Sequence, residues 1–194
     1  PPIAIDADDE KALQKAVVRK EFVEDKASNV PFLLLPHRPN YIMPLTYQFN
    51  PNDQPFENIL GDEWPGLNHE EAVFQVSVKY QVAKLSADNR NRLYVAYTNK
   101  SHWQVYNNKL SRPFRETNHE PELFATFAPG WKYIDHIFLS LNHQSNGQYT
   151  GLSRSWNRIM LGMFHITGNM VVGAVPWWRI PETDKADPND PSDN

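Results

Sequence analysis

The sequence predicts an all-β chain of antiparallel strands, and three observations carry that prediction. After Pro36 the chain breaks into short runs in which apolar and polar residues alternate, separated by clusters of Asn, Asp, Gly and Pro. The connections between the runs alternate between short and long. No run approaches the ~20 apolar residues that a membrane-spanning helix needs.

Ahead of the runs, Asp8 to Asp25 carries Ala12, Leu13, Ala16, Val17, Phe22 and Val23 among many charges, a weakly amphipathic helix. It is read as part of a peripheral N-terminal segment, residues 1–30, followed by a β region, 31–194. The first strand spans Asn40 to Asn50. The clearest is Val73 to Val82, where Phe74, Val76, Val78, Tyr80 and Val82 share one face and Gln75, Ser77, Lys79 and Gln81 the other. Leu93 to Trp103 repeats the split, with Leu93, Val95, Tyr97 and Trp103 opposite Tyr94, Thr98, Lys100 and His102. Four more strands follow at Pro121 to Phe127, Trp131 to His143, Ser155 to Ile166 and Met170 to Trp178. Pro176 inside the last marks a sheet edge or a break, because proline cannot donate to a ladder. The short connections are Ser86 to Asn91, Ala128 to Gly130 and Thr167 to Asn169; the long ones are Pro51 to Glu70, Tyr106 to His119 and Gln144 to Arg154.

Composition narrows the function. The 19 basic and 23 acidic residues are interspersed and sum to −4, which argues against nucleic acid as a partner. Cysteine is absent, so any nucleophile is an oxygen or nitrogen group and any metal site lacks thiolates. Pro1 to Glu10 has no basic stretch followed by an apolar one, so the chain is expected to be a mature product. The mean hydropathy of −0.62 reads as soluble. A spanning β-strand, however, is only about ten residues long and only alternate positions must be apolar. The pattern therefore fits a membrane barrel and also a soluble sandwich or lipocalin-like barrel.

The reactive side chains concentrate in Leu141-Asn142-His143-Gln144-Ser145-Asn146-Gly147 and Ser153-Arg154-Ser155-Trp156-Asn157-Arg158. In extended backbone His143 and Ser145 fall on one side of the pleat, and the next strand returns antiparallel, bringing Asn157 within reach of the other ring nitrogen of His143. That arrangement supplies a nucleophile, a base and a group that orients the base. His143 shares its face with Leu141, Leu139 and Ile137, and Asn157 shares its face with Ile159, Leu161 and Met163. In a membrane barrel these atoms would meet lipid, with His136, Ser140, Asn142 and Arg158 turned inward. On spacing alone, ordinary polar residues at strand ends and in loops fit equally, Ser153, Ser155 and the Asn146-Gly147 pair included. His37, His69, His119 and His165 have no metal-ligand spacing and receive no role.

Asn142-His143-Gln144-Ser145-Asn146-Gly147 followed by Ser153-Arg154-Ser155-Trp156-Asn157-Arg158 resembles the catalytic signature of outer-membrane phospholipase A. Tyr97-Thr98-Asn99-Lys100-Ser101-His102-Trp103-Gln104 and Pro113-Phe114-Arg115-Glu116-Thr117-Asn118-His119-Glu120-Pro121 resemble the same family, and the likeness runs from about Pro31 to about Arg179. The resemblance implies a twelve-stranded antiparallel transmembrane β-barrel in the outer membrane of a Gram-negative bacterium. The implied activity is calcium-dependent hydrolysis of acyl esters of phospholipids and lysophospholipids, at both acyl positions, once calcium drives homodimerisation. It makes Ser145 the nucleophile, His143 the general base and Asn157 the residue that orients it. Calcium (Ca2+) would be held by the Ser153 side chain, the Gln148 main-chain carbonyl and Ser111 of a second protomer, and would polarise the ester carbonyl beside the Ser145 N–H.

Three positions depart from the family pattern. Gln148 stands for an arginine, Gln144 for an aspartate, which removes a negative charge near the site, and Asn99 for a glutamine that makes a polar dimer contact. The chain also carries about seven of twelve strands, and an open sheet cannot satisfy its edges in lipid. A barrel domain cut short after its seventh strand is the expectation. The rival readings are a catalytically inert outer-membrane barrel and a soluble β-sheet lipid-binding protein.

Overall fold

The computed structural model describes residues 33–181 except 89, 111–113, 149–150 and 169, together with 15, 16, 19, 22, 23, 25, 26 and 30. Among the described residues there are nine strands: β1 (Leu35–Pro36), β2 (Tyr41–Tyr47), β3 (Glu70–Lys84), β4 (Arg92–Trp103), β5 (Phe114–Phe127), β6 (His136–Ser145), β7 (Ser155–Thr167), β8 (Met170–Ala174) and β9 (Trp177–Ile180). β1 and β2 both pair with β3, and β8 and β9 both pair with β7, while β3 to β7 follow one another in chain order. Every pairing is antiparallel, so the nine strands occupy seven places in one meandering sheet. The all-β antiparallel fold and its seven strand positions are those read from the sequence.

Proline explains two differences from that reading. β8 and β9 keep one register against β7, with Met163 opposite Ala174 and Met160 opposite Trp177. Between them the Leu161 N–H still donates to the Pro176 carbonyl at 3.0 Å. Only the bond that a Pro176 N–H would make is lost, so the two pieces are one strand. β5, for its part, begins at Phe114 and not at Pro121, and takes in much of the predicted Tyr106 to His119 connection. Pro121 sits in mid-strand, with the register against β6 unchanged on either side, from His119 opposite Ser145 to Glu122 opposite Asn142. A proline tolerated in this way costs one ladder bond, here the one the His143 carbonyl would accept.

β6 differs at both ends. It starts at His136, because Trp131 and Ile134 close a tight turn first. It runs on to Ser145, so the candidate serine belongs to the strand and not to the following loop. The long Pro51 to Glu70 connection folds into helix α1 (Gln54–Leu60) and a 3₁₀ turn (Gly61–Glu63). The Trp64 indole donates to Asp53 Oδ1 at 2.6 Å and stacks on Phe56 at 4.5 Å between centroids. Of the N-terminal segment, Lys15, Ala16, Arg19, Phe22, Val23, Asp25 and Lys26 are helical; most of residues 1–30, and residues 182–194, lie outside the described residues.

The two faces of the sheet are opposite in character. The covered face is polar: Ser77, Lys79, Thr98, Glu122, Ser140 and Asn142 are buried there beside Tyr94 and Phe124. Arg38 joins Glu120 at 2.6 Å and Glu122 at 2.8 Å, and Glu122 also accepts from Ser140 at 2.7 Å. The outward face is apolar, with Val76, Val95, Leu123, Leu139, Leu141, Ile159 and Leu161 exposed, Leu141 to 50%. In a water-soluble domain the burial is the other way round. Among the described residues no helix is long and apolar enough to cross a membrane.

Candidate active site

Register places the candidate residues in two rows across the outward face. In one row Tyr97, Pro121, His143 and Asn157 stand side by side on β4 to β7; Pro121 opposes His143 by continuity of the β5–β6 register. In the next row stand Asn99, His119, Ser145 and Ser155. The neighbouring row toward the other end of the strands is Val95, Leu123, Leu141 and Ile159. A compact polar patch thus interrupts an apolar surface.

His143 and Asn157 are a direct cross-strand pair, and Nδ1 of the imidazole lies 2.9 Å from Asn157 Oδ1. An amide oxygen can only accept, so Nδ1 carries the hydrogen and the Nε2 lone pair is left to take a proton. Ser145 follows His143 by two residues on the same face, where its Oγ accepts from the Gly147 N–H at 3.2 Å. The structure therefore joins His143 to Asn157 and gives the Ser145 hydroxyl the Gly147 amide as its partner. Contacts between nucleophile and base are often long before substrate binds. Gly147 has φ +63, a left-handed conformation that turns the chain straight after the serine.

Asn146, read from the sequence as ordinary loop chemistry, organises the loop beyond. It is 3% exposed. Its Oδ1 accepts from the Arg154 N–H at 2.9 Å and the Gln148 N–H at 3.3 Å, while its Nδ2 donates to the Leu152 carbonyl at 2.7 Å. One side chain thus ties Gln148 and the residues flanking Ser153 into the loop next to Ser145. The signal lay in the Asn-Gly pair, but the loop's closure is a tertiary fact that spacing does not reveal. Among the described residues no group of His, Asp or Glu side chains could hold a metal ion. The oxygens offered are the Gln148 carbonyl and the Ser153 hydroxyl, neutral hard donors of the kind calcium accepts together with water. Ser111 lies outside the described residues.

Gln144 faces the covered side, where Arg158 donates to its Oε1 at 3.0 Å and to Asn142 Oδ1 at 2.7 Å. The lost negative charge at that position is thus on the far side of the sheet from Ser145. Asn99 remains on the outward face, its Nδ2 3.4 Å from Nδ1 of His119. A cavity of about 350 Å³ adjoins the site loop, lined by Phe56, Leu60, Trp64 and Phe114 with Gln148 and Leu152. It exists because α1 packs on the loop, Ile59 lying 3.1 Å from where a side chain on Gly151 would begin.

Known proteins resemble this chain in sequence and in fold. The family model described as Phospholipase A1 matches residues 17–193. Phospholipase A1 of Klebsiella pneumoniae is 35% identical over 191 residues, covering 94% of this chain and 65% of its own length. The Salmonella typhi outer membrane phospholipase, solved as a dimer with bound calcium, superposes with a TM-score of 0.71 at 32% identity, over 84% of this chain and 64% of that one. An active-site mutant of outer membrane phospholipase A from Escherichia coli, carrying alanine in place of an asparagine, gives 0.70 at 30% identity, over 82% and 62%. The chain spans less than two thirds of the length of each.

Proposed function

This chain belongs to the phospholipase A1 family, and from that premise we propose that it carries the catalytic face of an outer-membrane phospholipase that hydrolyses acyl esters of phospholipids and lysophospholipids. The observation that carries the reading is the His143–Asn157 pair beside Ser145 on an exposed apolar face. A base oriented by an amide, two residues from a hydroxyl on the same face of the strand, is the machinery of ester hydrolysis. A site surrounded by outward Leu and Ile side chains meets substrate that is itself apolar. Solved relatives named as outer membrane phospholipases support the same location and substrate class.

In the proposed reaction His143 Nε2 takes the Ser145 hydroxyl proton as Oγ bonds to the ester carbonyl carbon. The proton then passes to the departing lysolipid oxygen, and water releases the acyl group by the reverse sequence. Asn157 holds the imidazole in the required tautomer throughout. The Ser145 N–H is a donor for the developing oxyanion. Ser153 Oγ and the Gln148 carbonyl, with Ser111 of the partner subunit, would hold calcium, which when bound adds positive charge near the ester carbonyl. A ligand set split between protomers makes activity depend on a calcium-linked homodimer, a reading supported by the calcium-bound dimer of the Salmonella typhi relative.

The test is fatty-acid release from phospholipid in detergent micelles by the complete protein, with and without a calcium chelator. Release abolished by the chelator and restored by calcium is expected. No release under either condition would leave an inert barrel. Mixing Ser145→Ala with Ser111→Ala protomers under subunit exchange should recover activity above either mutant alone; no recovery would mean that calcium is not shared.

A further inference from the structure

His119, to which no metal-site spacing gives a role, stands directly opposite Ser145 on β5. Side chains of such a pair leave the sheet on one face with Cβ atoms about 5 Å apart. Among the described residues its ring is hydrogen-bonded at Nδ1 alone. The Tyr97 hydroxyl lies 2.6 Å from Nδ1, and the Asn99 amide nitrogen 3.4 Å from the same atom. The amide nitrogen can only donate, so Nδ1 is the acceptor and the hydrogen resides on Nε2. That other edge packs on the turn after the serine: the position a Gly147 Cβ would occupy is 3.7 Å from Cδ2 and 3.8 Å from Nε2. Among the described residues no side chain or carbonyl accepts a hydrogen bond from Nε2. A donor without a partner on an apolar face is costly, which asks for an acceptor that arrives from outside.

Resting on the esterase reading above, we propose that His119 is a substrate-contacting catalytic residue whose Nε2–H donates to the ester carbonyl oxygen while Ser145 attacks. As Oγ bonds to the carbonyl carbon and its proton moves to His143 Nε2, the carbonyl π pair passes to oxygen. His119 stabilises that oxyanion by a hydrogen bond and exchanges no proton. Tyr97 and Asn99 fix the tautomer in which the donor faces the nucleophile. The two imidazoles beside Ser145 therefore hold opposite tautomers, His143 with Nδ1–H through Asn157 and His119 with Nε2–H through Tyr97 and Asn99. Each is set by the partner of its Nδ1, and only one of them is a base.

The experiment compares His119→Phe, which keeps an aromatic ring on Gly147 but has no donor, with His119→Gln, which keeps an N–H at similar reach. Hydrolysis of a p-nitrophenyl acyl ester in micelles is followed for the complete protein, and kcat is normalised to sites counted by end-point labelling of Ser145 with a sulfonyl fluoride. His119→Phe should lower kcat by about 100-fold with KM within twofold, the loss usual for one oxyanion donor. His119→Gln should recover all but about fivefold. A loss confined to KM, a kcat for His119→Phe within twofold of the parent, or equal losses in both variants would overturn the role. Counting labelled sites removes any effect of poor assembly on kcat. Ser145→Ala is measured alongside: if it is inactive while His119→Phe is unimpaired, only this role fails, and if it retains activity the esterase site itself is wrong.

Discussion

The two faces of β6 are built from the same strand and serve opposite ends. On the covered face Ser140 and Asn142 are enclosed, and their polar atoms are taken up by Glu122 and Arg158. On the outward face Leu139 and Leu141 are exposed, and the polarity that does occur is gathered at His143 and Ser145. Inside, a polar side chain is the rule, and on β6 those of Ser140, Asn142 and Gln144 each answer another. Outside, polarity is the exception, and around β6 it is gathered at one end of the strands. The difference teaches that in this sheet a polar residue is informative about chemistry only when it faces away from the other polar residues.

That contrast predicts separable effects of substitution. Ser145→Ala, on the outward face, should reduce ester hydrolysis by at least about a thousandfold while leaving unfolding in detergent unchanged, since the lost hydroxyl is the attacking atom. Activity within tenfold of the parent would remove Ser145 from the mechanism. Glu122→Ala, on the covered face, should do the reverse. Glu122 accepts from Arg38, Ser140 and Asn142, so its removal leaves buried donors unanswered and should cost about 3 kcal/mol. Denaturant unfolding measures the loss, and hydrolysis per folded molecule should be preserved.

Asn157→Ala should be milder than Ser145→Ala, with kcat down about 10- to 100-fold, the range seen when a metal-bound histidine loses the group that orients it. A loss as large as that of Ser145→Ala would mean that Asn157 does more than orient. The smallest effect lies away from both faces, in the turn before β6. The Ile166 amide at 2.7 Å, and then the His165 ring at 2.8 Å, hold the Asp135 carboxyl below its usual range. A lowered folded value makes this contribution fully present above about pH 4 and lost as pH falls through the folded value. Because the Asp135 side chain is partly exposed, screening limits it to about 1 kcal/mol or less. Asp135→Asn should shift the acid limb of a stability profile slightly and leave neutral-pH activity alone.

How much of this was legible in the sequence depended on whether one strand or two carried the information. The alternation in Val73 to Val82 is a property of a single strand, and it gave the sheet's two faces without any knowledge of pairing. His143 and Ser145 share a face for the same reason, and Asn157 needed only one antiparallel return. Pro121 misled about continuity, because a missing N–H ends a strand only if its neighbours cannot hold the register, and that is decided by β6. Asn146 and His119 were passed over for a deeper cause. The first acts by closing a loop on Arg154, the second by facing Ser145 from a strand 26 positions earlier, and neither relation has a fixed spacing.

A site that draws its substrate from the membrane has its proposed catalytic side chains on the lipid side of the sheet. This chain has no cysteine, so a cysteine introduced into it is unique within these 194 residues. Spin labels at Leu141→Cys and Ser140→Cys in the complete protein, reconstituted in phospholipid bilayers, can be compared for collision with oxygen and with a water-soluble nickel complex. Oxygen should dominate at 141, beside His143, and should be far less effective at 140, on the enclosed face. Equal access of the nickel complex to both positions, or oxygen preferring 140, would contradict a site that draws its substrate from the membrane.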